Sequence, residues 1–378
     1  MTGRPDASPS HLPGLDLLRA LAVIWVMLFH SFLVGGLGPD FEWLQRFGWA
    51  GVDMFFVLSG FLIGSQVLQP LRQGQGLSIR AFYARRAWRI LPAFAAVLLI
   101  YAAFPGWREA PGLAPLWQFA TFTVNLLIDY QHTPAFSHAW SLCVEEHFYL
   151  LFPWLALWLT RRPSAARFAL LCATVLLGGI ALRAAIWLHG EAADPSRAWF
   201  IETLYYPTWT RLDGLLVGVM LATLRVWRPA TWARWQARPG AFLLAGVLMV
   251  GLALSLFADR TGLAANTLGW PLLSAGLGAL VVDASTPAGQ GWLSRWRVPG
   301  AGWLAAISYS LYLSHKLAFH AVEGAMADHP QVQGSALFGA YALATLAAGA
   351  ALHYAVERPF LRWRDARAAA RMQGLAGV

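Results

Sequence analysis

The sequence predicts an all-α integral membrane protein, a bundle of about ten transmembrane helices with both termini cytoplasmic. Three observations carry that expectation: the composition, the spacing of the apolar stretches and the alternation of charge between them. Of 378 residues, 58% are hydrophobic and only 12% charged, against about 25% charged in soluble domains. Mean hydropathy is +0.50, so a water-soluble fold is excluded. The net charge of +9 does not point to nucleic acid, because the basic residues sit in short segments between apolar runs rather than along one face.

A hydrocarbon core about 30 Å thick needs around 20 apolar residues per helix, and ten stretches qualify. The first, 15–34, follows a polar, Pro-rich start without a cleavable signal pattern and holds Asp16, Arg19 and His30. The second, 50–69, holds Asp53, and the third, 87–104, follows an arginine-rich segment. Next come 138–159, with Glu145 and Glu146, then 166–188, and 205–225, with Arg211 and Asp213. The last four are 240–257, 264–283, 302–321, with His315 and Lys316, and 336–356. Stretch 115–130 is apolar but short; letting it span would invert every later loop, so it reads as a re-entrant or interfacial outer segment. One membrane domain over 15–356 is expected, between cytoplasmic segments 1–14 and 357–378.

Cytoplasmic loops carry the excess of Lys and Arg, and the loops obey that rule without exception when the N-terminus is placed inside. The inner segments hold 20 arginines, among them Arg4, Arg85, Arg86, Arg89 and Arg358. The outer ones hold only Arg46, Arg108, Arg197 and Arg260, with acids such as Asp40, Glu42, Glu191, Asp194, Glu323 and Asp328. Cys143 and Cys172 both lie in apolar runs, so neither a disulfide framework nor a zinc site is expected. No metal and no bound cofactor is called for.

Charged residues within a span cost several kcal/mol and persist mostly where they have a use. Arg19 and His30 are 11 residues apart, within about 20° of three full turns and about 16 Å along the axis. They share a face, and Asp16 stands beside Arg19 on it. Counting inward from the outer helix ends places His30 in one layer with Asp53, Glu145, Glu146, Arg211, Asp213, His315 and Lys316, within about 4 to 12 Å of the interface. An imidazole oriented by a carboxylate takes a proton from a hydroxyl near neutral pH, which makes His30 the candidate catalyst and Glu145 or Glu146 its orienting or proton-guiding partner. On the inner side Arg86 and Arg89, three apart, face one way on a helix, and paired guanidiniums suit phosphate. With Arg85, Arg19 and Asp16 they make a candidate site for a phosphorylated cytosolic donor, although topogenic charge is an equal explanation. Buried His and Glu also suit the proton relay of a proton-coupled transporter of a small solute, but no internal repeat supports that alternative.

Seven motifs in order resemble one family, the membrane acyltransferase-3 family of multi-pass O-acyltransferases acting on extracytoplasmic carbohydrates. They are GLDLLRALAVIWVMLFH with Arg19 and His30, GVDMFFVLSGFLIG, RRAWRILP with Arg86 and Arg89, WSLCVEEHFYLLFP, RLDGLLVGVMLA, ISYSLYLSHK and the terminal ERPF. One departure is His147, where the family usually has glutamine. The resemblance implies transfer of an acyl group, usually acetyl, from acyl-CoA as co-substrate to a hydroxyl of a carbohydrate or glycolipid across the membrane, in the bacterial inner membrane. The first-helix histidine is essential on that reading, either as general base or as acyl carrier. It also implies the stand-alone form, without an esterase-like domain after the last helix. Arg211, Lys316 and His315 are then candidates for the oxyanion or acceptor, with Asp213, Trp140, Asp53 and Tyr309 as pocket residues.

Overall fold

In the computed structural model, residues 12–38, 41–190, 196–329 and 331–376 are described; Arg4, Asp40, Glu191 and Asp194 lie outside them. The long helices are α1 (Pro13–His30), α2 (Ala50–Arg72), α3 (Ile79–Ala103), α4 (Trp140–Arg161), α5 (Ala165–Gly190), α6 (Asp213–Trp227), α7 (Pro239–Leu256), α8 (Trp270–Ala284), α9 (Ala301–Met326), α10 (Gly334–Leu352) and α11 (Arg358–Ala376). The protein is all-α. Eight helical spans among the described residues are long and apolar enough to cross a membrane. The two expected stretches outside that set are 302–321, whose helix α9 is continuous but interrupted by Ser308, Ser310, Ser314, His315 and Lys316, and 205–225.

Stretch 205–225 is corrected by the structure: it is not one helix. A π turn, Phe200–Tyr205, ends at Pro207, which fixes its own φ and has no N–H to continue the ladder. A 3-10 turn, Thr208–Thr210, follows, and α6 starts only at Asp213. Arg211 therefore sits in a break between helical pieces. Helix α3 starts earlier than the apolar run does, because Ser78 accepts a hydrogen bond from the Ala81 N–H and caps it. The arginine-rich segment is thus helical. Segment 115–130 forms two short helices, Leu116–Ala120 and Val124–Leu127, each too short at 1.5 Å per residue to cross a bilayer. It packs against the N-terminal end of α4: Phe119 stacks on Phe136, and Asn125 Nδ2 donates to the Tyr206 carbonyl at 3.2 Å and Thr208 Oγ1 at 2.9 Å.

The core of the bundle is α2 and α8, whose apolar windows are 72% and 61% buried, while those of α5, α7 and α10 are only 11% buried and turn their faces outward. Lipid supplies no hydrophobic drive between helices, so close backbone approach through small residues has to do that work. Helix α2 meets α6 through glycines. A Cβ on Gly60 would stand 2.2 Å from the Leu215 carbonyl oxygen, and one on Gly218 would stand 2.3 Å from that of Val57. Gly51 gives α2 the same closeness to α1 at the Ala22 carbonyl. Gly60→Ala or Gly218→Ala forces these backbones apart and should lower stability by about 1–3 kcal/mol. Thermal unfolding of the purified variants in detergent measures it; a transition unchanged from the parent protein contradicts this packing.

Candidate active site

Two cavities lie end to end inside the bundle. The larger, about 290 Å³, is lined by Arg19 of α1, Ser59 and Gln66 of α2, Arg86 and Arg89 of α3, Glu145, Glu146 and Tyr149 of α4, and Tyr309 and Tyr312 of α9. Each helix contributes its polar residues at helical spacing, so the apolar remainder faces neighbours or lipid. Arg86 donates to Gln66 Oε1 at 3.3 Å and lies 5.7 Å from the Tyr149 ring centroid. Arg89 is ion-paired with Glu357. That carboxylate also accepts from Ser310 Oγ at 2.6 Å and lies 2.9 Å from His353 Nδ1. Glu357 and His353 sit in a π turn, His353–Glu357, between α10 and α11. Tyr309 donates its hydroxyl to the Ile90 carbonyl at 2.9 Å.

The smaller chamber, about 40 Å³, is lined by His30, Phe29, Trp49, His138, Trp140, Tyr205 and Tyr206, and shares Val52 and Tyr312 with the larger one. His30 Nδ1 is 3.1 Å from the Val26 carbonyl oxygen and 3.1 Å from His315 Nε2. His315 Nδ1 lies 2.7 Å from the Tyr312 carbonyl oxygen. A carbonyl only accepts, so His315 carries its proton on Nδ1 and presents a bare Nε2, and His30 carries its proton on Nδ1. The unprotonated atom of His30 is then Nε2, the one that makes neither contact. A third imidazole, His138, lies with its centroid 6.5 Å from that of His30 and 4.9 Å from that of His315, and bonds through Nε2 to the Leu313 carbonyl.

The structure corrects the expected single layer. Glu145 and Glu146 do not meet His30; they line the lower cavity with the arginines. Glu145 accepts from Ser59 Oγ at 2.9 Å and from the Tyr149 hydroxyl at 2.7 Å. Depth counted from the helix end misled here because the N-terminal end of α4 is buried: Ser137, His138 and Ala139 lie beneath segment 115–130. Glu145, seven residues beyond His138, is about 10 Å deeper. His315, expected as an acceptor or oxyanion residue, is instead the ring partner of His30.

Arg211, Asp213 and Asp53 line neither cavity. Arg211 donates to Asp53 Oδ1 at 2.7 Å and lies against the Trp270 ring, 3.6 Å from its centroid. Asp213 receives two bonds from Arg183, at 2.8 and 3.1 Å. These are buried, paired charges, although Arg211 Nη1 has no hydrogen-bond partner among the described residues. Lys316 is held by Glu109 at 3.4 Å and Ser137 Oγ at 3.2 Å. Trp140 stacks on Tyr206 in the chamber wall. Arg85 and Asp16 do not line the cavity, while the Asp16 charge acts on Arg19. His147 turns aside to Thr208 Oγ1 at 2.7 Å. Residues that escaped the sequence reading include Arg183, His138, Tyr149, Glu109, His353 and Glu357. Arg183 had a signal, a lone charge in the middle of an apolar run, where a charge needs a partner.

A polar interior of two adjoining cavities, one with arginines and carboxylates and the other with imidazoles, enclosed in an apolar helical bundle, defines the class of a multi-pass membrane protein with an internal polar site. The family follows from sequence comparison: the chain belongs to the family described as acyltransferase domain, whose profile matches residues 12–354. It is 32% identical over 235 residues to O-acetyltransferase OatA of Staphylococcus aureus, covering 59% of this chain and 36% of that protein. It is 30% identical over 231 residues to peptidoglycan O-acetyltransferase OatA of Listeria monocytogenes, covering 57% and 34%. The matched region thus spans about a third of these relatives' length. No solved structure matches the chain.

The Arg183–Asp213 pair gives a direct test of the buried charges. Arg183→Met strands a carboxylate and should cost about 3–5 kcal/mol, whereas adding Asp213→Asn recovers part of the loss. Unfolding of the single and double variants in detergent measures the coupling; additive losses contradict it.

Proposed function

We propose that the protein is a membrane-embedded O-acyltransferase that takes an acyl group, acetyl in the simplest case, from cytosolic acyl-CoA and delivers it to a hydroxyl of an extracytoplasmic carbohydrate or glycoconjugate. The observation that carries this reading is the adjacency of the two cavities: an arginine-bearing cavity next to an imidazole chamber, with Val52 and Tyr312 common to both walls. A volume of about 290 Å³ suits the acylated pantetheine arm better than a whole CoA, and the nucleotide phosphates then lie toward the inner mouth, near Arg86 and Arg19. Arg86 uses one nitrogen on Gln66 and keeps the rest of its fork for an anion.

In the transfer step, the acceptor hydroxyl attacks the thioester carbonyl while His30 Nε2 takes its proton. The tetrahedral intermediate then collapses, the C–S bond breaks, and the proton passes from His30 to the departing thiolate. Base catalysts of this kind contribute about 10²–10⁴-fold. His315 replaces the orienting carboxylate expected beside His30: its bare Nε2 and the Val26 carbonyl hold the His30 Nδ1 proton, which keeps Nε2 basic.

His30→Ala should lower acyl transfer about 10²-fold or more while acyl-CoA still binds. Membranes supplied with radiolabelled acetyl-CoA, followed by counting of the carbohydrate fraction, decide this; transfer at the parent rate contradicts the role of His30. Arg86→Ala should weaken acetyl-CoA binding about tenfold or more, the loss of one charge-assisted contact. Equilibrium binding of labelled acetyl-CoA measures it, and unchanged affinity contradicts the donor site.

A further inference from the structure

Outward-facing arginines are the exceptions in this chain, and three of the four gather at one place. Arg260, in the loop between α7 and α8, lies 4.4 Å from the Tyr205 ring centroid, 4.9 Å from that of Trp49 and 5.5 Å from that of Phe29. All three rings line the His30 chamber. Arg197 lies 5.6 Å from the ring centroid of Phe32, whose ring is 6.4 Å from that of His30. Arg46 donates to the carbonyl of Ala258, two residues from Arg260.

Among the described residues none of the three arginines has an ion-pair partner, and the Arg260 Nε is shielded from solvent without a hydrogen-bond partner. Of the nearby carboxylates, Asp259 accepts from the Gly262 N–H and Thr261 and Asp53 pairs with Arg211, and neither makes an ion pair with any of the three arginines. Stacking on rings accounts for one buried guanidinium. It does not explain why three like charges, two of them exposed, gather around one aperture, an arrangement whose mutual repulsion an anion seated among them would relieve.

We infer that this aperture is a binding site for an anionic group, a carboxylate or a phosphate, on the carbohydrate acceptor. The inference rests on the acyl-transfer reading above, since it names the acceptor class for that chamber. Forked guanidiniums seat such groups with two parallel bonds, and aromatic faces between them accept the apolar face of a sugar ring. The anion then sets which hydroxyl is carried toward His30.

Binding of digalacturonic acid, its dimethyl ester, glucose 1-phosphate and glucose to the purified full chain tests this. An anionic probe should bind at least about tenfold more tightly than its neutral counterpart, the worth of one charge-assisted contact. The first pair or the second shows whether carboxylate or phosphate is the group. Arg260→Gln and the exposed-site variant Arg197→Gln should each erase the preference, and Arg260→Lys should restore part of it. Equal binding of charged and neutral probes, or a preference that survives both glutamine variants, overturns the inference. Labelled acetyl transfer separates the two readings: charge preference without any transfer refutes the acyltransferase and leaves the anion site. Transfer without charge preference refutes the anion site alone.

Discussion

The Asp53–Arg211 pair is the interaction on which the interior of this protein depends. An isolated charge at that depth would cost several kcal/mol, and pairing lets α2 carry a carboxylate into its first turn while the chain breaks between Tyr206 and α6. The guanidinium lies against Trp270 and also faces Trp140 and Tyr205, so the ion pair and the aromatic wall of the His30 chamber are one unit. Arg183 and Asp213 fasten the other side of the same break. Loss of one partner from either pair would leave an unmatched buried ion beside the His30 chamber.

A second unit braces the Arg89 wall of the larger cavity. Glu357 lies near the C-terminal end of the chain, yet its carboxylate meets Arg89 of α3 and Ser310 of α9. The π turn that carries it widens the helix locally and puts Glu357 and His353 on one side, the kind of irregularity that recurs at functional sites. Arg89 is thereby held against the cavity wall. Separated motifs in the sequence thus become one contact, which explains why a glutamate next to an Arg-Pro pair belongs to the same site as an arginine some 270 residues earlier.

The imidazole chamber follows a different logic. A carboxylate beside His30 would add a buried charge to a small space; a neutral imidazole and a backbone carbonyl fix the tautomer without one. His315 is itself fixed by the Tyr312 carbonyl, and the Tyr312 hydroxyl donates to the His138 carbonyl at 2.8 Å. The larger cavity, by contrast, mixes Arg19, Arg86 and Arg89 with Glu145 and Glu146, so its charge is spread between both signs and the carboxylates belong with the arginines.

The sequence by itself determined the all-α membrane fold and the shared face of Arg19 and His30. It also determined the common orientation of Arg86 and Arg89 toward one cavity. These follow from local periodicity and from the cost of burying charge in hydrocarbon, both readable one helix at a time. Only the tertiary structure decided which charges meet: Arg211 with Asp53, Asp213 with Arg183, Arg89 with Glu357, and His30 with His315 rather than with Glu145 or Glu146. Pairing across helices depends on the relative height and rotation of neighbours. Those are set by glycine contacts such as Gly60 with α6 and by a covering segment that buries the N-terminal end of α4, so counting residues from a helix end did not measure depth in the bilayer.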